Sequence, residues 1–264
     1  MNYINEIACV KSNDLIAENT YRAVLESPKI SKISKPGQFV NILPSLDWDK
    51  AMRRPMSLAD ACSGSIELIY KVFGKGTKLM SNWGKGDNID IIGPLGNYWS
   101  DFDKTPILIG GGVGIAPITY LSKFLNENHI EHYLIMGARS CGDHFLKHEL
   151  DGKILLSTDD GSLGIKGNVV DVFKTLDLDY KSVKIFSCGP PLMMESIKKH
   201  VDINKIDCDL ALETIMACGF GICQGCAVEF CSDESKEHSY RSKFGLVCLD
   251  GPIFSAKDIK TCIL

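Results

Sequence analysis

No long apolar run crosses this sequence of 264 residues unbroken. The longest candidate, Pro106–Leu121, is interrupted by Gly110, Gly111, Gly112 and Gly114. It therefore predicts a strand, a turn and a helix start rather than a membrane span. A basic run is missing as well: Lys and Arg total 29 against 33 Asp and Glu, for a net charge of −4. That balance leaves no electrostatic footprint for nucleic acid. The segment Met1–Val10 carries Glu6 and no basic cluster, so it does not read as a signal peptide. Internal repeats, low-complexity tracts and long linkers are absent too. The expectation is a soluble, cytoplasmic protein with neither membrane nor nucleic acid as partner. With 45% hydrophobic and 23% charged residues the composition is that of a globular chain. At roughly 150 residues per domain, two domains and a small appendage are expected.

Cysteine is the abundant exception. There are 11, an odd number, in a chain too large for a disulfide scaffold. Cys9, Cys62, Cys141, Cys188, Cys208, Cys231 and Cys262 are scattered, whereas Cys218, Cys223, Cys226 and Cys248 crowd together near the end.

Up to about Asp101 the chain reads as β-rich. Gly37–Leu43 and Ser65–Val72 show β-branched and aromatic residues in partial alternation, with one helical stretch at Thr77–Trp83. A small antiparallel barrel fits this pattern. After Lys104 strands and helices alternate. Strands are expected at Pro106–Ile109, His132–Met136, Lys153–Ser157 and Val183–Ser187, with Ile206–Leu212 a further candidate. Helices are expected up to Asn126, around Phe145–Leu150, at Val169–Leu176 and at Leu192–Val201. Such alternation predicts a parallel sheet covered on both faces. The remainder, Glu213–Leu264, is rich in Cys and Gly and calls for something other than a large core to order it. The expected fold is thus an N-terminal antiparallel β-barrel, a central parallel α/β sheet and a small C-terminal segment. Their bounds are 1–101, 102–205 and 206–264.

Three motifs carry chemistry. Cys218-Gly-Phe-Gly-Ile-Cys223-Gln-Gly-Cys226, with Cys248 beyond, has the C-x4-C-x2-C…C spacing of plant-type [2Fe–2S] ligands. Zinc sites usually pair two C-x2-C units, and only one is present here. Cys231 reads as a bystander. Arg53-Arg54-Pro55-Met56-Ser57, followed by Gly74-Lys75-Gly76-Thr77, offers a guanidinium fork for a pyrophosphate and a hydroxyl for a ring nitrogen. Thr77 is placed to cap a helix over Lys78–Trp83. Gly110-Gly111-Gly112-Val113-Gly114-Ile115-Ala116-Pro117 lets a dinucleotide phosphate approach a helix start, although it is not G-x-G-x-x-G. Ser187-Cys188-Gly189-Pro190 ends a strand on the same side of the sheet.

In this order the motifs resemble the ferredoxin–NADP reductase family. The resemblance implies an FAD site of Arg54, Pro55, Met56, Ser57, Ile69, Tyr70, Lys71, Gly76 and Thr77. Arg54, Gly76 and Thr77 would meet the flavin phosphates, and Ser57 would lie near flavin N5. It implies a nicotinamide site of Gly111, Gly112, Gly114, Cys188, Gly189 and Pro190, with Ser57 and Cys188 in catalytic roles. Met56 stands where that family often has an aromatic residue, leaving the ring's stacking partner open.

With the tail Glu213–Phe254 included, the whole chain resembles the family of electron-transfer subunits of NAD-dependent dihydroorotate dehydrogenases. That resemblance implies metal ligands Cys218, Cys223, Cys226 and Cys248. It also implies an FMN-containing catalytic partner, two of each subunit in the complex, and a route from dihydroorotate through FMN, cluster and FAD to NAD⁺ in pyrimidine synthesis. A flavin belongs between nicotinamide and cluster because it can trade electrons in twos and in ones. Phe220, Ile222, Ile253 and Phe254 are equally open to docking the partner or packing over the cluster. Two other readings compete: the flavin/iron–sulfur subunit of an NADP–ferredoxin transhydrogenase or sulfite reductase, and a zinc-stabilised nucleotide-binding module without redox chemistry.

Overall fold

The computed structural model describes residues 3–45, 52–148, 153–231 and 240–264. Strands β1 (Ile4–Ala17), β2 (Thr20–Glu26), β3 (Phe39–Leu43), β4 (Arg54–Cys62), β5 (Ser65–Lys71) and β6 (Asn88–Leu95) close an antiparallel barrel in the order β1-β2-β5-β4-β3-β6. Alternation decides which way each side chain points. Ala23 and Leu25 of β2 and Ile66 and Leu68 of β5 are fully buried inside. On the outer face Arg22 donates two bonds of 2.8 Å to the Glu67 carboxylate.

Helix α1 (Pro28–Ile33) was not foreseen, being too short to show a period. Pro28 opens it, and the Glu6 carboxylate of β1 accepts from Ser27 Oγ at 2.6 Å and from the Ile30 amide at 3.2 Å, satisfying its first turn. Helix α2 (Lys75–Met80) begins two residues before Thr77. Gly74 holds the cap position and has no side chain, so Thr77 acts from inside the first turn. Its Oγ1 accepts from the amides of Phe73 (3.0 Å) and Gly74 (3.3 Å).

The second layer contains β7 (Thr105–Gly111), α3 (Ile115–Glu127), β8 (Tyr133–Ala138), β9 (Ile154–Thr158), β10 (Ile165–Lys166), α4 (Val169–Thr175), β11 (Val183–Cys188), α5 (Pro191–Asn204) and β12 (Asp207–Ala211). The tail adds β13 (Ala227–Glu229), α6 (Tyr240–Lys243), β14 (Phe244–Leu246) and β15 (Ile253–Ser255). The large sheet runs β10-β9-β8-β7-β11-β12-β15, parallel throughout except that β15 is antiparallel to β12. Ile107, Ile109 and Ile185 face α4 and α5, while Leu108, Leu134 and Phe186 face α3. Both faces of the sheet are therefore covered.

The expected helix around Phe145–Leu150 does not form at Phe145–His148; Glu149 and Leu150 lie outside the described residues. Side-chain bonds hold this stretch along β9 instead. His144 Nε2 bonds the Ser157 carbonyl (2.9 Å), and His148 Nδ1 accepts from the Leu156 amide (3.0 Å).

The tail also differs from expectation, because it has a core. Val228, Leu246, Val247 and Ile259 join Leu210 and Leu212 of the sheet and Phe39 and Leu95 of the barrel in one apolar cluster. Asn97, just past β6, clamps barrel to tail. Its Nδ2 donates to the carbonyls of Asp250 (3.0 Å) and Ile253 (2.8 Å), and its Oδ1 accepts from the Ile253 amide (3.0 Å). Barrel and sheet are tied in turn by ion pairs Lys71–Asp143 and Lys123–Asp60. Tyr120 Oη adds a bond of 3.2 Å to the Ser34 carbonyl.

Candidate functional site

A cleft opens where barrel, sheet and tail meet. Its barrel wall is Pro55, Met56 and Ser57 of β4 with Ile69, Tyr70 and Lys71 of β5, closed at one end by Phe73 and Thr77. Arg54 and Gly76, the remaining residues of the expected flavin set, lie against each other. A side chain at Gly76 would come within 2.6 Å of Arg54 Nε, so the guanidinium stem would have to shift to make room for one. The adjacent Arg53 has a different job. It pairs with Asp90 at 2.9 Å and bonds the Asn41 carbonyl at 3.1 Å, bracing β3 against β6. Tyr70 is buried, bonded to Asn13 Oδ1 (2.9 Å) and stacked on Tyr21 at 5.7 Å, and burial raises its phenol well above the ordinary value. Phe73 is 80% exposed at the rim. It is an aromatic face that the sequence reading passed over, although it directly precedes the Gly74–Thr77 motif. A long apolar wall with a guanidinium and free helix amides at one end suits a flavin dinucleotide.

The opposite wall comes from Val113 and from the tail residues Leu212, Glu213, Thr214, Met216 and Pro252. Glu213 opens onto the cleft yet is crowded by protein, and desolvation lifts its carboxyl to about 7. Cys188 Sγ approaches Glu213 Oε1 to 4.0 Å. Burial, with Glu213 adding to it, pushes that thiol far up.

Cys188 ends β11 beside β7, in register with Gly110. The glycines of the two loops pack backbone on backbone. A Cβ at Gly114 would fall 2.3 Å from the Cys188 carbonyl oxygen and 2.5 Å from the Gly189 nitrogen. One at Gly111 would strike Met193 Sδ at 2.5 Å. The loop of Gly111, Gly112 and Gly114 and the loop of Cys188, Gly189 and Pro190 are thereby brought together at the carboxyl ends of parallel strands, where nucleotides bind.

The cysteine-rich loop begins five residues after Glu213. Two contacts tie its cysteines together. Cys226 Sγ and Cys248 Sγ are 3.2 Å apart and buried, and the Cys223 amide donates to Cys218 Sγ at 3.4 Å. The Gly221 amide donates to Cys248 Sγ at 3.1 Å. Gly219 and Gly221 have φ of +81° and +83°, which turns successive amides inward. Burial alone would raise the Cys218 thiol, but the amides of Cys223, Phe220 and Ile222 outweigh it and bring it down to about 6. Among the described residues no three metal-ligating side chains converge on one point, but four thiols at this spacing, two of them already accepting from backbone amides, are the ligand chemistry of a [2Fe–2S] cluster. Cys231 is turned away, toward the Ile259 carbonyl at 3.3 Å. Of the apolar residues considered for docking, Ile253 and Phe254 are buried in the core, Phe220 stacks on Tyr3 at 6.3 Å, and Ile222 alone stands exposed.

A closed barrel bearing an arginine-edged cleft, joined to a parallel sheet with a glycine corner, defines a flavin- and nicotinamide-dependent reductase of the ferredoxin-reductase type. A ferredoxin NADP⁺ reductase from Neisseria gonorrhoeae, solved with FAD and NADP bound, shares this fold at a TM-score of 0.62 and 15% identity, over 75% of this chain and 91% of that one. The NADH-dependent reduced ferredoxin-NADP oxidoreductase superposes at 0.82 with 29% identity, over 97% and 90%. Residues 213–260 match the iron–sulfur cluster binding domain of dihydroorotate dehydrogenase B. The dihydroorotate dehydrogenase B (NAD(+)) electron transfer subunit of Fusobacterium nucleatum is 35% identical, over 97% of this chain and 98% of its own length. That of Listeria monocytogenes serovar 1/2a is 36% identical over 93% and 94%. The chain belongs to this family of electron transfer subunits.

Proposed function

We propose that the three segments act as a relay, with residues 1–101 holding FAD, 102–205 the nicotinamide nucleotide and 206–264 the cluster. The protein is the electron-transfer subunit of an NAD-dependent dihydroorotate dehydrogenase, with FAD, a [2Fe–2S] cluster and NAD as its cofactors. Electrons taken from dihydroorotate on a catalytic partner leave as NADH, in the service of pyrimidine synthesis. When bound, the flavin supplies the exchange between paired and single electrons. Arg54 and the α2 amides hold its phosphates, and Ser57 and Cys188 face the nicotinamide junction. Cys218, Cys223, Cys226 and Cys248 hold the cluster. The observation that carries this reading is the shared cleft: the wall opposite the barrel is made by the same tail segment that runs directly into the cysteine loop. The complex it joins is cytoplasmic in this reading. Among the described residues no helix is long and apolar enough to cross a membrane. Two copies of each subunit make up that complex.

The reading of a transhydrogenase-type subunit is disfavoured by Cys218, because that family's first cluster ligand is taken to be an aspartate. The deciding experiment mixes purified chain with NADH or with dihydroorotate and NAD⁺. Alone it should reduce an artificial acceptor from NADH and leave dihydroorotate untouched; adding the FMN-containing catalytic subunit should start NADH formation. Dihydroorotate turnover by the isolated chain, free of partner by mass spectrometry, would refute the assignment.

A further inference from the structure

We propose that Asn41 is a positioning residue for electron transfer, fixing the Cys218 edge of the cluster against the flavin barrel. The inference rests on the reading of Cys218 as a cluster ligand. Asn41 lies in β3, paired with Pro55 of the cleft wall on one side and Ile92 of β6 on the other. It is 1% exposed, a polar side chain in an otherwise apolar strand. Its Nδ2 donates to the Cys218 carbonyl at 2.8 Å, a side-chain bond that crosses directly from the barrel to the cysteine loop. Gly219, at φ +81°, presses so closely that a Cβ there would lie 2.5 Å from Nδ2.

The amide can adopt only one orientation. Flipped, its oxygen would face the Cys218 carbonyl oxygen, so the nitrogen must point at the loop. The consequence is that Oδ1 is buried with no hydrogen-bond partner. An unpaired buried acceptor costs stability that a leucine of the same shape would not. Barrel packing therefore does not account for an asparagine here; the bond to Cys218 does. That bond holds the first ligand's peptide on β3, two residues from Phe39 in the cleft wall, and the amides of residues 220, 222 and 223 then converge on Cys218 Sγ. A single electron passes between cluster and flavin with no bond made or broken, so its rate depends on how rigidly this edge is held.

The test compares the holoprotein with Asn41→Leu and Asn41→Asp, both close in size. Iron and FAD content, the paramagnetic resonance spectrum of the reduced cluster, the rate at which NADH-reduced flavin reduces the cluster, and the unfolding midpoint are measured together. Asn41→Leu should retain FAD and unfold no earlier than wild type, while its resonance spectrum shifts and cluster reduction slows about 10-fold or more, as loss of an outer-layer contact does elsewhere. Asn41→Asp, which places an acceptor against the carbonyl, should slow it at least as much. Wild-type spectrum and rate in Asn41→Leu would overturn the proposal. So would failure of both variants to fold, which would make Asn41 merely structural. A wild-type chain without iron would instead overturn the cluster reading beneath it.

Discussion

Cys188 and Cys218 lie at opposite ends of the same functional region and have opposite chemistry. Cys188 terminates a central strand, paired in the ladder with Gly110 on one side and Ala211 on the other. Only burial and a carboxylate act on its thiol, and both hold the proton on. Cys218 lies in a loop in which Gly219 and Gly221 adopt left-handed backbone, so its amides have no ladder to serve and turn on the sulfur instead. Burial separates them too, since Cys188 is buried and Cys218 only half-buried, so the balance of desolvation and donor supply pushes the two thiols in opposite directions. In the proposed relay the strand end is a rigid, neutral wall for the nucleotide, and the glycine loop presents a cluster ligand.

Breaking the loop should have the largest effect. Cys223→Ser removes one ligand and should abolish about two irons per chain together with the cluster's visible absorbance, leaving FAD bound. Iron analysis and a visible spectrum suffice, and unchanged iron would show that Cys223 is no ligand. Breaking the corner should do less but reach further through the fold. Gly114→Ala forces a methyl into the Cys188–Gly189 backbone, which cannot move as a side chain end would. We expect a loss of about 1–3 kcal/mol in chemical unfolding and a raised KM for NADH, with iron and FAD retained. Wild-type stability and KM would mean that the two loops are not held in this contact.

How much of this was legible beforehand follows from locality. The cysteine spacing, the Gly110–Pro117 turn and the β/α rhythm are encoded in contiguous residues, and they could be read. Helix α1 could not be, because its N-terminus is satisfied by Glu6 from another strand. Nor could the tail's core, since β15 gains its partner β12 only through a non-local, antiparallel pairing. The stretch after Phe145 has apolar residues at helical spacing, but His144 and His148 bind it to β9. Asn41 left one faint trace, an amide amid Phe39, Val40, Ile42 and Leu43, whose meaning depends on a loop far along the chain.

The smallest expected effect sharpens the comparison at Glu213, which borders both places. Its carboxyl titrates at 4.5 when unfolded and at about 7 in the fold, owing to desolvation in the cleft. Between those values the folded state binds the additional proton. Its contribution to stability is therefore complete below pH 4.5 and is lost as pH rises through 7. Because the side chain opens onto the cleft, solvent screening keeps the loss to about 1 kcal/mol or less. Glu213→Gln removes the titration while preserving shape. Urea midpoints of the two holoproteins should agree near pH 4.5 and diverge by pH 8, with the glutamine variant the more stable. Midpoints that stay parallel across that range would mean that Glu213 is hydrated like any surface carboxylate, and the strand-end corner would then owe the neutrality of Cys188 to burial alone.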